Sequence, residues 1–294
     1  MMKIAVFCAF DTPATIEFAK ATIAYLENKG HRLSLDSRLT KHLPAETKKH
    51  NAFDASTTLD SENDYLFSIG GDGTLLRSIP FVKDTQIPIL GINTGHLGFL
   101  TSLQKESLNE ALDKLFEKKF KLVKRALLAV ELSTPLPKIN EFGYALNEIS
   151  INRKNTTAML SIATQIDKEF LTTYWADGLI IATPTGSTGY SLSSGGPILQ
   201  PETEGIVLNP IAPHNLNIRP LVVPDKVEIE ISVDGHGEDH LLSLDSRIFT
   251  IENGTVIYIK KAPFSIFTIE LEGDNYFKTL RNKLFWGYDA RNRQ

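Results

Sequence analysis

The feature that most constrains this fold is a change of hydrophobic rhythm near residue 124. Before it, short apolar runs alternate with stretches of helical spacing. Lys3–Ala9 reads as a buried strand. Pro13–Lys29 places Ile16, Phe18, Ala19, Ile23 and Leu26 at helical intervals and stops at Gly30, a residue suited to the position past a helix C-terminus. His31–Leu35, Asp64–Ile69 and Pro88–Ile92 read as further strands, with helical spacing at Thr74–Ile79. Such alternation predicts a mostly parallel sheet covered on both faces. After Lys124 the period becomes two. Leu127–Leu132, Tyr144–Arg153, Ala158–Ile166, Gly178–Ala182, Lys226–Val233 and Val256–Lys260 are strand-like, with few helical patterns between them. The expected architecture is an α/β N-terminal domain over 1–124 and an all-β C-terminal domain over 125–274. The basic, aromatic tail 275–294 is expected to pack back on the first domain.

Composition narrows the classes. A net charge of −4 leaves no basic field for nucleic acid, and the basic run Lys114–Arg125 reads as the solvated face of an amphipathic helix entering a strand. The single cysteine, Cys8, excludes an internal disulfide framework and sits in an apolar run, as a buried strand thiol. No basic segment with a signal-length apolar stretch opens the sequence, and no apolar run is long enough to span a bilayer. A soluble cytoplasmic protein with no membrane or nucleic-acid partner is expected.

The strongest local motif is Gly70-Gly71-Asp72-Gly73-Thr74, between an apolar strand and a helix. Glycines let the backbone turn sharply and approach a ligand, and the helix N-terminus offers unpaired N–H groups to a phosphate. Gly70, Gly71, Gly73 and Thr74 are therefore candidate phosphate-loop residues. A carboxylate beside phosphates would be repelled unless it binds a metal or takes a proton from a nucleophile. The spacing is equally that of a tight turn with Asp72 as a helix cap. Neither a G-x-x-x-x-G-K-[ST] loop nor a G-x-G-x-x-G after the first strand is present. A second segment, Thr183–Gly196, crowds hydroxyls around four glycines, as an ordered binding loop offering neutral donors would.

The first loop resembles the GGDGT motif shared by NAD kinases, diacylglycerol and sphingosine kinases and phosphofructokinases. Asn93-Thr94-Gly95-His96-Leu97-Gly98-Phe99-Leu100, Leu146-Asn147-Glu148, Asp177–Ser191, Gly195-Gly196-Pro197-Ile198, Ile211-Ala212-Pro213-His214 and Arg219-Pro220-Leu221 are similar to NAD kinases in particular. The resemblance runs from about residue 64 to 247. It implies ATP-dependent phosphorylation of the adenosine-ribose 2′-hydroxyl of NAD, with Asp72 as general base. Mg²⁺ or another divalent cation would arrive with ATP, with no protein metal site. The resemblance further implies dinucleotide contacts from Asp72, Gly73, Arg77, Phe99, Asn147, Glu148, Asp177, Thr185, Thr188, Gly189, Tyr190, Ser191, Leu192, Ser193 and Ala212. Asn147 and Glu148, as sequence neighbours, can both serve one ligand only at a strand end or bulge. A homodimer or homotetramer is implied as well. Trp175 stands where relatives often carry arginine, Arg247 where an amide is usual, and Gly189 where alanine is commoner.

Other clusters carry less. His236, Glu238, Asp239 and His240 read as a solvated hairpin loop, not a zinc site. His96 reads as structural, and Phe285 and Trp286 as packing residues. A lipid or sugar kinase sharing the Asp72 loop, or a dinucleotide sensor without turnover, are the competing readings.

Overall fold

The computed structural model describes residues 1–9, 12–44, 47, 49–54, 57–95, 98–101, 103–104, 108–154, 158–235 and 238–287. The chain divides into two compact units. One is Met1–Lys124 with Ile266–Gln294, the other Arg125–Ser265. The chain thus returns to the first unit at Ile266, ahead of the tail expected at 275.

In the first unit, β1 (Lys3–Phe7) leads to α1 (Pro13–Asn28), β2 (Arg32–Asp36), α2 (Ser37–Thr40) and β3 (Asn51–Phe53). These are followed by β4 (Tyr65–Ile69), α3 (Asp72–Val82), β5 (Ile89–Asn93), β6 (Leu103–Gln104) and α4 (Leu108–Phe116). α1 begins where Thr12 accepts from Thr15 N–H with Pro13 in the first turn, and Gly30 at φ +76° follows its end. Its face of Phe18, Ala19, Ile23 and Leu26 joins the core with Ile4, Val6, Phe67 and Ile92. Strands β5, β4, β1, β2 and β3 are parallel neighbours in that order. β4 and β5 are buried at every residue, as strands covered on both faces must be. The chain order reverses between β4 and β1, making a switch point at their carboxyl ends.

The second unit is an antiparallel β fold with two short helices. Its elements are β7 (Phe120–Leu132, beginning in the first unit), α5 (Pro137–Glu141), β8 (Tyr144–Ala145), β9 (Glu148–Asn152), β10 (Leu160–Ile166), β11 (Glu169–Ala176) and β12 (Gly178–Ala182). After a 3₁₀ turn, Gly186–Thr188, come α6 (Tyr190–Ser193), β13 (Gly205–Ile211), β14 (Leu221–Pro224), β15 (Ile229–Asp234), β16 (Asp239–Leu244), β17 (Arg247–Glu252) and β18 (Val256–Leu271). One layer runs β11-β10-β15-β18, with β7 on β18 and β8 on β7; the other runs β14-β13-β12-β9-β16-β17. Between them lie Ile149, Ile151, Ile162, Leu179, Ile181, Ile231, Leu242 and Ile257.

Beyond Ser265, β18 belongs to the first unit and pairs with β5 through Thr268 and Ile89, and α7 (Tyr276–Leu284) follows. Two expected strands differ from what is found. Val256–Lys260 runs on to Leu271, its alternation masked by Lys260, Lys261 and Pro263. Tyr144–Arg153 is broken at Leu146-Asn147, whose amide groups turn to a side chain rather than to a neighbouring strand. β3, β6, β11, β13, β14 and β17 lie outside every strand that the sequence pattern predicts. Among the described residues no helix is long and apolar enough to cross a membrane.

Candidate functional site

In the first unit the glycine-rich loop leaves β4 and opens α3. Gly70 has φ +146°, and a Cβ there would stand 2.2 Å from Thr74 Oγ1, so only glycine fits. Gly71 and Gly73 are exposed, and a Cβ on either would meet no protein atom within 4 Å. Their bareness leaves the approach to the first turn of α3 open. Gly71 is the N-cap residue and supplies no side-chain bond, so first-turn N–H groups are unclaimed by a cap.

Asp72 is the first residue of α3, not its cap. Its carboxylate turns to the segment after β5. Oδ1 accepts from Leu100 N–H (3.1 Å), Thr101 N–H (3.0 Å) and Thr101 Oγ1 (2.8 Å), and Oδ2 accepts from Phe99 N–H (2.7 Å). The segment is itself held. Asn93 Nδ2 donates to Thr101 Oγ1, Gly95 N–H donates to Asn93 Oδ1, and Gly98 N–H donates to Thr101 O. A Cβ on Gly98 would lie 1.9 Å from Asp72 Oδ1. Phe99, Leu100 and Thr101, braced by Asn93, are therefore a clamp for one carboxylate. A carboxylate offers about four acceptor positions. Oδ1 carries three bonds and Oδ2 one, so Oδ2 is the oxygen with capacity left. Phe99 is half-buried, and Arg77 is exposed on the second turn of α3. His96 and Leu97 lie outside the described residues.

In the second unit a buried carboxylate organises the other motif. Asp245, at φ +50° in the turn between β16 and β17, accepts from Leu146, Asn147 and Glu148 N–H at 2.9, 2.7 and 3.2 Å, and its own N–H donates to Glu148 O. Three successive amide groups converging on one carboxylate explain how Asn147 and Glu148 share a region, for Asn147 precedes the first residue of β9. Their Oδ1 and Oε2 atoms are both buried without a hydrogen-bond partner, an open capacity that buried polar atoms rarely leave unused. Burial, reinforced by Asp245, pushes the Glu148 carboxyl up to about 8, against the pull of Tyr190 N–H. Burial raises Asp245 too, opposed by its three amide donors and Arg247. Those donors favour charge on Asp245 and leave the proton on Glu148. Arg247 donates to the carbonyls of Phe142 and Tyr144 and stacks on Phe142, 5.0 Å away. It is a strut for this turn.

The hydroxyl-rich loop spends most of its donors on itself. Thr183 Oγ1 donates to Leu146 O and accepts from Gly186 N–H. Ser187 Oγ donates to Pro184 O, and Thr188 Oγ1 to Thr185 O. Thr185 Oγ1 accepts from Arg125, and Ser191 is fully buried, accepting from Asn209. The expected array of neutral donors is thus mostly a scaffold, because these side chains point inward. A Cβ on Gly186 would meet Asn147 O at 2.0 Å, and one on Gly189 would meet Glu148 Oε2 at 3.0 Å. Loop and Asn147-Glu148 are packed backbone to backbone. Tyr190 and Ser193 are exposed and Leu192 half-buried. Asp177 pairs with Arg153 at 3.2 Å. Ala212, exposed, has φ +45°, a conformation strained for a residue with a Cβ. Trp175 is 54% exposed on β11.

Sequence reasoning missed Asp245 as an organiser, although it lies two residues before Arg247, where the chain departs from its relatives. His240 is not in a solvated loop. The alternation of β16 turns it inward, where it is 1% exposed. Asp239 pairs with Lys154 and Glu238 is exposed; His236 lies outside the described residues. Among the described residues no group of three His, Cys, Asp or Glu is placed to hold a metal.

Known proteins resemble the whole chain. The family models for the ATP-NAD kinase N-terminal and C-terminal domains match residues 4–120 and 146–271. Proteins named NAD kinase from Christiangramia forsetii and Flavobacterium psychrophilum are each 46% identical over 99% of this chain and 100% of their own. Among solved structures, an NAD kinase from Archaeoglobus fulgidus in complex with ATP is 28% identical with a TM-score of 0.73, covering 97% of this chain and 99% of that one. Yeast NADH kinase complexed with NADH shares the fold, at 23% identity and a TM-score of 0.86, covering 100% of this chain and 90% of its own.

Proposed function

This chain belongs to the NAD kinase family, and on that premise we propose that Asp72 is the general base of an ATP-dependent phosphorylation of NAD. Oδ2 takes the proton of the adenosine-ribose 2′-hydroxyl as that oxygen attacks the γ-phosphorus of ATP. The bond from the γ-phosphorus to the bridging oxygen breaks, and NADP and ADP result. The observation that carries the assignment is the clamp, which fixes the carboxylate with four donors and leaves acceptor capacity on Oδ2. Proton removal by a placed carboxylate contributes about 10²–10⁴ in rate. The larger share comes from alignment and charge stabilisation at the phosphates, to which Gly70, Gly71, Gly73 and Thr74 contribute open backbone.

The second unit supplies dinucleotide contacts. Asn147 Oδ1 and a protonated Glu148 carboxyl suit ribose hydroxyls, the first accepting and the second able to donate. Thr188, Gly189, Tyr190, Leu192 and Ser193 offer backbone and exposed side chains. Thr185 and Ser191, whose hydroxyls face inward, act through the main chain. Asp177 and Ala212 are assigned to the same ligand. Mg²⁺ fits as part of the substrate. Mg²⁺ would arrive on the ATP phosphates, as it commonly binds. When bound it neutralises phosphate charge. The enzyme is further proposed to be cytoplasmic and a homodimer or homotetramer, a state read directly by light scattering on the eluting protein.

The test is NADP formation by the purified protein with NAD, ATP and Mg²⁺, followed with an NADP-specific dehydrogenase. Turnover that EDTA abolishes supports the reading; NAD binding without turnover on any phosphoryl donor would leave a sensor instead.

A further inference from the structure

Thr101, at the end of the clamp, is held in one orientation by what surrounds it. It is fully buried, and branching at Cβ leaves its side chain few rotamers. Its methyl lies against Gly91 of β5, where a Cβ would stand 2.9 Å from Thr101 Cγ2 and 2.6 Å from Leu100 O. Its hydroxyl is confined too, for a Cβ on Gly98 would meet Oγ1 at 2.4 Å. Two bare glycines thus leave the room that this one side chain fills.

The hydrogens in this corner run in a single direction. Gly95 N–H can only donate, so the atom of Asn93 that it meets at 2.7 Å is the carbonyl oxygen. The amide nitrogen of Asn93 is thereby turned to Thr101 and donates to Oγ1 at 3.0 Å. A hydroxyl has one hydrogen and two lone pairs. With Asn93 on a lone pair, the hydrogen is left for Asp72 Oδ1, 2.8 Å away. Asn93 and Thr101 are both buried, where successive bonds of this kind polarise one another. The torsion at the end of an aspartate side chain is soft and nearly two-fold, so an unheld carboxylate exchanges its oxygens. A third donor aimed at Oδ1 from a fixed side chain opposes that exchange.

We infer that Thr101 is a positioning residue for the phosphoryl transfer, with Asn93 setting the direction of its hydrogen. Together they make Oδ1 the anchored oxygen of Asp72 and Oδ2 the one that works. The inference rests on the kinase reading above. The hydrogen of the ribose 2′-hydroxyl passes to Oδ2, and the electron pair left on that oxygen forms the bond to the γ-phosphorus. Thr101, being buried, acts only through Asp72.

The experiment measures kcat and the KM for NAD in the parent, Thr101→Val and Thr101→Ser, each also in the Asp72→Asn background. Valine keeps the branched shape without the hydroxyl, and serine keeps the hydroxyl. The expected result with Thr101→Val is a fall in kcat of about tenfold, the magnitude of one hydrogen bond to a charged group. KM for NAD stays within about twofold of the parent, and Thr101→Ser restores most of kcat. In the Asp72→Asn background Thr101→Val changes the residual rate by less than about twofold, since the group it positions is gone. Asn93→Asp carries the test if Thr101→Val does not fold. It keeps the bond from Gly95 but gives Thr101 an acceptor in place of a donor, so the hydroxyl hydrogen turns from Asp72 and kcat falls. Parental kcat in the variant that folds would overturn the inference, as would an equal loss in the Asp72→Asn background, the mark of a merely structural role. A parent that forms no NADP refutes the kinase reading and the inference with it; a working parent indifferent to Thr101 refutes the inference alone.

Discussion

Replacing Glu148 by glutamine separates the electrostatics of the second unit from its shape. In the folded chain the Glu148 carboxyl stays protonated to about 8, raised from 4.5 chiefly by burial and then by Asp245. The folded state therefore holds a proton that the unfolded chain releases near 4.5. Between those two values the native form binds more protons than the unfolded one, so stability falls as pH rises through this window. At about 1.4 kcal/mol per pH unit, the full cost above pH 8 is about 5 kcal/mol, and relaxation around the charged form trims it to about half. Glutamine keeps the shape and has no proton to lose. Below pH 4.5 Glu148→Gln and the parent should have nearly equal stability; by pH 8.5 the variant should be the more stable by about 2–5 kcal/mol. Denaturant unfolding of the ligand-free proteins at pH 5, 7 and 8.5 reads the gap. A gap that does not widen with pH would refute the reasoning.

A second perturbation tests the Asp72 clamp. In Gly98→Ala the new methyl would stand 1.9 Å from Asp72 Oδ1. The carboxylate must move, and kcat/KM should drop by about 10²-fold or more while NAD affinity in calorimetry changes little; near-parental turnover would mean that the clamp does not set the base. A third concerns His240, whose pKa burial lowers from its usual 6.5. The unfolded chain then takes up a proton that the folded one resists, so stability present above pH 6.5 is lost as pH falls below it. His240→Phe should flatten that loss in thermal scans from pH 7 to 5; identical slopes would remove His240 from the acid response.

Much of this was legible from period and composition, and the failures have physical causes. β4, the glycine-rich loop and α3 were readable because strand, turn chemistry and helical spacing agree at adjacent residues. The two-unit division was visible where the period changes near Lys124, but not the return at Ile266, because β18 runs through that boundary without a turn. The clamp was only half visible. That Asp72 is a candidate could be read from its loop; that Phe99, Leu100 and Thr101 hold its carboxylate through backbone N–H groups could not, since main-chain donors carry no sequence signature. The hydroxyls of Thr183, Ser187 and Ser191 misled for a related reason: composition records how many donors a loop has, not which way they point. Asp245 organises residues about a hundred positions away, a relation that only the folded sheet creates.

The account's central claim is that Asp72 removes the proton from the NAD ribose. The most direct measurement is single-turnover NADP formation by Asp72→Asn at saturating NAD and MgATP, with NAD affinity measured on the same preparation. The account predicts a rate about 10²–10⁴ below the parent, with NAD still bound at comparable affinity. Formation of NADP at the parental rate by Asp72→Asn would contradict it.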